Sequence, residues 1–177
     1  MKFNQLVPKI VTVVLTTFLS VAVFAQGQVH WLNWEQATEL SKVEKKKFVV
    51  DVYTDWCGWC KKMDQSTFQN PSIVSYLNEN YYAIKFNAEQ RDDIRMNDKI
   101  YRFVRSGRKG YHELAAEITF GKLSYPTIVF LDENMQVIQP LAGFKDAEMF
   151  QMIMKYFGED FHKTTPWKKY EDSYKNN

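Results

Sequence analysis

A chain of 177 residues, 45% hydrophobic and 16% aromatic, is long enough for one compact domain with a substantial core. Its 25% charged residues, with few Gly and Pro, exclude wholesale disorder. The 23 Lys+Arg exceed the 21 Asp+Glu only through Lys2 and Lys9, and residues 1–25 hold no acid; the rest balances at 21 against 21, which argues against a nucleic-acid partner.

Lys2 and Lys9 flank a short polar start, and Ile10 to Phe24 is an uncharged apolar run. Val23 and Ala25 are small residues where a signal peptidase reads, so 1–25 is predicted to be a signal peptide cleaved before Gln26. The run falls short of the roughly 20 residues that a spanning helix needs, and an uncleaved anchor is the alternative. No Cys follows the cleavage point, which argues against a lipoprotein. Export to a periplasmic or otherwise extracytoplasmic space is the expectation.

A folded domain is predicted over 26–162. Val29 to Leu32 reads as a short strand. A helix follows, with Asn33 as N-cap and Gln36 completing a capping box. Its Trp34, Ala37, Leu40 and Val43 recur at helical spacing and are predicted to face the core. Phe48 to Tyr53 is an apolar run of strand length broken by one acid, Asp51, and reads as a central strand covered on both faces. Thr54 to Cys57 leads into a helix from about Gly58 to Phe68. Asn70-Pro71 starts the next helix. Tyr82 to Asn87 is a second core strand.

Residues 94–111 are predicted to hold a basic helical insert, from Ile94, Ile100, Phe103 and Val104 with Arg102, Arg105, Arg108 and Lys109. The readings for it are a solvated surface helix or a lip that binds a partner. His112 to Phe120 reads as an amphipathic helix. Thr127–Leu131 and Gln136–Ile138 form a hairpin around Asp132-Glu133-Asn134. Asp146 caps a helix carrying Met149, Phe150, Ile153 and Phe157. Residues 163–177 are predicted to be a polar surface tail. The order gives an α/β fold: a mixed central sheet of four to five strands with helices on both faces.

The only cysteines lie in Cys57-Gly58-Trp59-Cys60. A disulfide there closes a very small loop and removes little unfolded-state entropy, so stabilisation is a poor reason for it. Where a strand hands over to a helix, the first N–H groups lack internal partners and favour an anion. A Cys57 thiolate there can have its pKa lowered from about 8.5 into roughly 3.5–7.5. Three positions on, Cys60 reaches disulfide distance and can resolve a mixed disulfide. Lys61 and Lys62 favour the thiolate; Asp55 opposes it. The alternatives are half of a zinc site and an inert disulfide. No second Cys pair exists, and His30, His112 and His162 lack ligand spacing, so no metal and no cofactor are expected.

Val50 to Lys61, containing Asp-Trp-Cys-Gly-Trp-Cys-Lys, resembles the active-site stretch of the thioredoxin family, and Tyr125-Pro126-Thr127 resembles its cis-proline motif. Thr67-Phe68, Asn70-Pro71, Lys85-Phe86-Asn87, Gly143-Phe144 and Asp146-Ala147-Glu148 are similar to one branch: the C-terminal periplasmic domain of the bacterial thiol:disulfide interchange protein and its free-standing secreted relatives. The resemblance covers about 30–157 and implies a thioredoxin fold. It makes Cys57 the exposed nucleophile and Cys60 the buried resolving thiol. Asp51 becomes the buried acid relaying the proton of Cys60, with a purely structural Asp51–Lys85 pair as the alternative. Pro126 would hold a cis peptide that leaves the Tyr125 backbone free for an extended substrate. Trp56 and Trp59 flank the nucleophile around Gly58 as an apolar contact surface, unless Trp56 mainly packs on the domain. Trp59 stands where many thioredoxins carry proline, which bears on the redox potential.

The implied activity is reduction of protein disulfides by a monomer that a membrane donor re-reduces. An oxidant or isomerase, and a binding module or metal chaperone using the same thiols, are the alternatives.

Overall fold

The computed structural model describes residues 27–107 and 109–176; the signal-peptide expectation lies outside them. Asn33 closes the expected capping box on α1 (Trp34–Val43). Next come β1 (Lys47–Tyr53), α2 (Gly58–Gln65), a 3-10 turn at Thr67–Gln69, α3 (Pro71–Asn80) and β2 (Tyr81–Asn87). After four short strands follow α4 (Glu113–Ile118), β7 (Thr127–Leu131), β8 (Val137–Ala142), α5 (Ala147–Gly158) and α6 (Trp167–Lys175). The four short strands are β3 (Ile94–Met96), β4 (Lys99–Tyr101), β5 (Phe103–Ser106) and β6 (Lys109–His112).

The main sheet has the order β2-β1-β7-β8, with β1 parallel to β2 and the other pairs antiparallel. Successive strand residues point to opposite faces, so β1 feeds two cores. Val49 joins Ile128, Phe130, Met63, Phe68, Leu77 and Phe150 beneath α2, α3 and α5. Phe48, Val50 and Val52 join Ile84, Phe86, Val129 and Leu114 on the face of α1 and α4. Asp51 and Lys85 are register partners on β1 and β2 and share the face of Val49. No described helix is long and apolar enough to cross a membrane.

Four expectations are corrected. The insert is not helical: β3–β4 and β5–β6 are two antiparallel hairpins. In β3, Ile94 and Met96 are buried around exposed Arg95, a period of two, and Asn97 takes φ 54° at the first turn. The first hairpin packs its Ile94, Met96 and Tyr101 into the α1/α4 core.

The C-terminal stretch is not merely a surface tail. Trp167, Tyr170 and Tyr174 form one stripe of α6, in which Tyr170 is buried and donates its hydroxyl to the Met152 carbonyl. In α1, Leu40 is half-exposed and Val43 fully exposed. A spacing of three falls behind the 3.6-residue turn, so the stripe begun by Trp34 and Ala37 continues through Ser41. Val29 to Leu32 is no strand beyond one bridge, Leu32 to Ile84.

Candidate active site

Thr54 to Trp56 turn the chain off β1 and deliver Cys57 as the N-cap of α2. Its sulfur accepts the Cys60 N–H at 3.1 Å and is bonded to Cys60, with the Cα atoms 5.3 Å apart. Helix geometry thus supplies both a donor for charge on Cys57 and the placing of its partner three residues on. Cys57 retains only 5% of its exposure against 2% for Cys60. The expected exposed nucleophile is therefore nearly covered in the disulfide state, because its sulfur is turned in toward the start of α2.

Beneath α2 lies a charged cluster. Asp51, 1% exposed, accepts from Lys85 Nζ through Oδ2 at 2.5 Å, and the same ammonium also bonds Asp64. Asp51 Oδ1 is buried without a hydrogen-bond partner among the described residues. Burial pushes the Asp51 carboxyl up to about 6; Lys85 opposes the rise and Asp64 adds to it. Burial works to lower the Lys85 ammonium, but the two carboxylates outweigh it and hold its pKa raised. The rings of Tyr53, Trp31 and Phe68 lie 4.9, 5.0 and 5.5 Å from Nζ, so aromatic faces supply the rest of its setting.

Asp64 was not among the residues singled out from the sequence. Its signal was spacing: it stands four residues after Cys60, on the same side of α2.

The rim is aromatic. Trp56 and Trp59 are 60% and 57% exposed, on either side of the disulfide. Trp56 does not mainly pack on the domain, although its Nε1–H donates to Glu89 at 3.0 Å and its ring meets Tyr125 edge-on at 5.8 Å. Trp59 leans on Phe144 at 5.6 Å, and Lys62 lies over both rings. Gly58 has open space around its Cα. The Tyr125-Pro126 peptide is cis. No backbone hydrogen bond engages Tyr125 among the described residues. Those residues also contain no group of three or more His, Cys, Asp or Glu able to hold a metal ion.

The family model Thioredox_DsbH, described as "Protein of unknown function, DUF255", matches residues 16–164. The chain is 34% identical over 88 residues to spermatogenesis-associated protein 20 of Rattus norvegicus, covering 49% of this chain and 11% of that protein. It is 28% identical over 111 residues to the thiol:disulfide interchange protein DsbD of Pectobacterium atrosepticum, covering 62% of this chain and 16% of DsbD. The matched stretch is thus a small part of either relative. A solved DsbH oxidoreductase superposes with a TM-score of 0.54 at 17% identity, covering 75% of this chain and 86% of that one. A thioredoxin from Thermus thermophilus gives 0.52 at 17% identity, covering 79% and 100%. At such identities the likeness is one of fold.

Proposed function

The chain belongs to the DsbH-type thioredoxin-like family, and on that footing we propose that it is an exported thiol–disulfide oxidoreductase that reduces protein disulfides through Cys57 and Cys60. The observation that carries the reading is the Cys57–Cys60 disulfide closed on the N-cap of α2, above a buried acid with an unengaged oxygen.

In the reduced protein the Cys57 thiolate attacks one sulfur of the substrate disulfide. That S–S bond breaks, a mixed disulfide forms with Cys57, and the departing sulfur leaves as a thiolate that takes up a proton. Cys60 then gives its proton to Asp51 and attacks the Cys57 sulfur. The Cys57–Cys60 bond closes, and the second substrate sulfur leaves as a thiolate that takes up a proton. Two electrons pass to the substrate, and a dithiol donor, read here as a membrane protein, restores the reduced pair.

Asp51 suits proton acceptance because burial raises its carboxyl to about 6 and Oδ1 has no hydrogen-bond partner among the described residues. Lys85 and Asp64 are positioning residues: they hold Oδ2 and set the charge around it. Pro126 and Tyr125 are read as the substrate-strand contact, with the Tyr125 backbone available to an extended chain. Trp56 and Trp59, around Gly58, form the apolar surface on which the substrate lies. Action as a monomer outside the cytoplasm completes the reading.

The test uses purified mature protein and a peptide disulfide. Cys57→Ser is expected to abolish turnover, while Cys60→Ser accumulates a mixed disulfide visible by mass. Full turnover in Cys57→Ser would overturn the reading.

A further inference from the structure

Beside Trp56 a cleft of about 690 Å³ opens between the redox loop and the second insert hairpin. Its near wall carries Asp55, Trp56 and Glu89; its other charged lining residues are Arg91, Arg105 and Lys109. The lining thus holds two carboxylates, Asp55 and Glu89, against three cations, Arg91, Arg105 and Lys109. Glu89 is engaged by the Trp56 indole N–H. The cations are not engaged by acids. Lys99 and Arg102, close by in sequence, pair with Glu117 and Asp93, whereas Arg91, Arg105 and Lys109 have no carboxylate within ion-pair distance among the described residues. Arg91 instead lies over Phe103 at 5.0 Å and Lys109 over Trp56 at 5.2 Å.

The hairpin is held in place at its base. Buried His112 donates its backbone N–H to Ala88 at 2.7 Å and bonds the Asp92 carbonyl through Nε2 at 3.0 Å, while Glu113 N–H reaches Arg102 O. Across the hairpin, the Phe103 ring lies over Gly110 so closely that a Cβ there would overlap it. A fixed lip with unpaired cations facing an aromatic wall offers charge complementarity to an anion arriving with the substrate.

Resting on the oxidoreductase reading above, we propose that this cleft is a specificity subsite of the same centre: it receives an acidic side chain of the substrate polypeptide, a few residues along the chain from the cysteine being reduced. The occupant is an extended peptide crossing Trp56, whose Asp or Glu reaches Arg105, Lys109 and Arg91.

The test is a panel of peptide disulfides of one length, with Glu walked outward from the cysteine one position at a time and Gln or Lys at the same places. At low salt the wild type is expected to favour the best Glu peptide over its Gln counterpart by about three- to tenfold in kcat/KM, the size of two or three exposed ion pairs. The advantage shrinks as salt is added. In an Arg105→Gln, Lys109→Gln double variant the Glu-to-Gln ratio is expected to fall to about one. Lys109→Glu is expected to turn the preference toward the Lys peptide. All these positions are exposed, and circular dichroism checks that each variant is folded.

Equal kcat/KM for all peptides in the wild type, or a Glu preference that survives the double variant, would overturn the subsite while leaving the oxidoreductase standing. Failure to reduce any peptide disulfide would overturn the oxidoreductase reading, and the subsite with it.

Discussion

The two faces of the main sheet share strands but are built on different terms. The α1/α4 face is apolar along the whole of β1 and β2, with Phe48, Val50, Val52, Tyr82, Ile84 and Phe86 buried in one cluster. The opposite face carries apolar filling at Val49 but is charged at both ends of β1: buried Lys47 pairs with Glu133 and Asp160, and the Asp51–Lys85 pair sits under the disulfide helix. The strand period alone separates them: one residue of register moves a side chain from the structural face to the chemical one. A buried charge is costly and is held here only by its partners.

Breaking the apolar face is expected to have the largest effect. Ile84→Ala removes a fully buried side chain and should cost about 2–5 kcal/mol in denaturant unfolding, with disulfide exchange per folded molecule unchanged. A loss of exchange rate equal to that of an active-site variant would erase the contrast between the faces.

Asp51→Asn should do the reverse. The second exchange step is expected to slow about 100-fold, or about 2.7 kcal/mol of barrier, read as slower decay of a trapped Cys57 mixed disulfide. Stability should respond through pH. The folded carboxyl titrates near 6, above its ordinary 3.8, so ionising it opposes folding and wild-type stability should fall as pH rises from about 4 through about 6. The asparagine variant should lack that fall; a slope that survives would assign it to other groups.

A smaller effect is expected at the lip. Gly110→Ala drives a Cβ into the Phe103 ring and should cost about 1–3 kcal/mol. Hydrogen exchange should quicken in 103–112 and stay unchanged in β1 and β7.

The smallest lies at His112. Its Nδ1 caps Leu114 N–H, which requires the neutral ring, and burial lowers its pKa. This contribution is full above the ordinary value of about 6.5 and is lost as pH falls through the lowered folded value. His112→Ala should remove it, together with about 0.5–2 kcal/mol of cap energy. Measurement against Asp51→Asn separates the two, since their slopes have opposite sign.

The sheet, the redox pair and Asp51 were legible because each rests on local rules: a continuous apolar run, a cap, and a lone acid in a strand. Asp146 capping α5 and Asn70 capping α3 are read the same way, from side chains that satisfy the first helical N–H groups. The insert was misread because Ile94, Ile100, Phe103 and Val104 satisfy a loose helical spacing, whereas the turns at Asn97 and Gly107, both with positive φ, decide for hairpins. The same Trp167, Tyr170 and Tyr174 that look scattered in a polar tail share one helical face. Glu89 was beyond the reach of pattern, since its importance comes from Trp56 meeting it in space, while Asp64 had only its spacing from Cys60 to mark it.

The most direct test is the reduction potential of the Cys57–Cys60 couple, taken by equilibrating the protein in graded thiol buffers and trapping free thiols. Thioredoxin-like couples run from about −270 mV for reductants to about −120 mV for strong oxidants. A value near the low end is expected, as a disulfide reductase requires. A value near the high end, or no reversible couple at all, would contradict it.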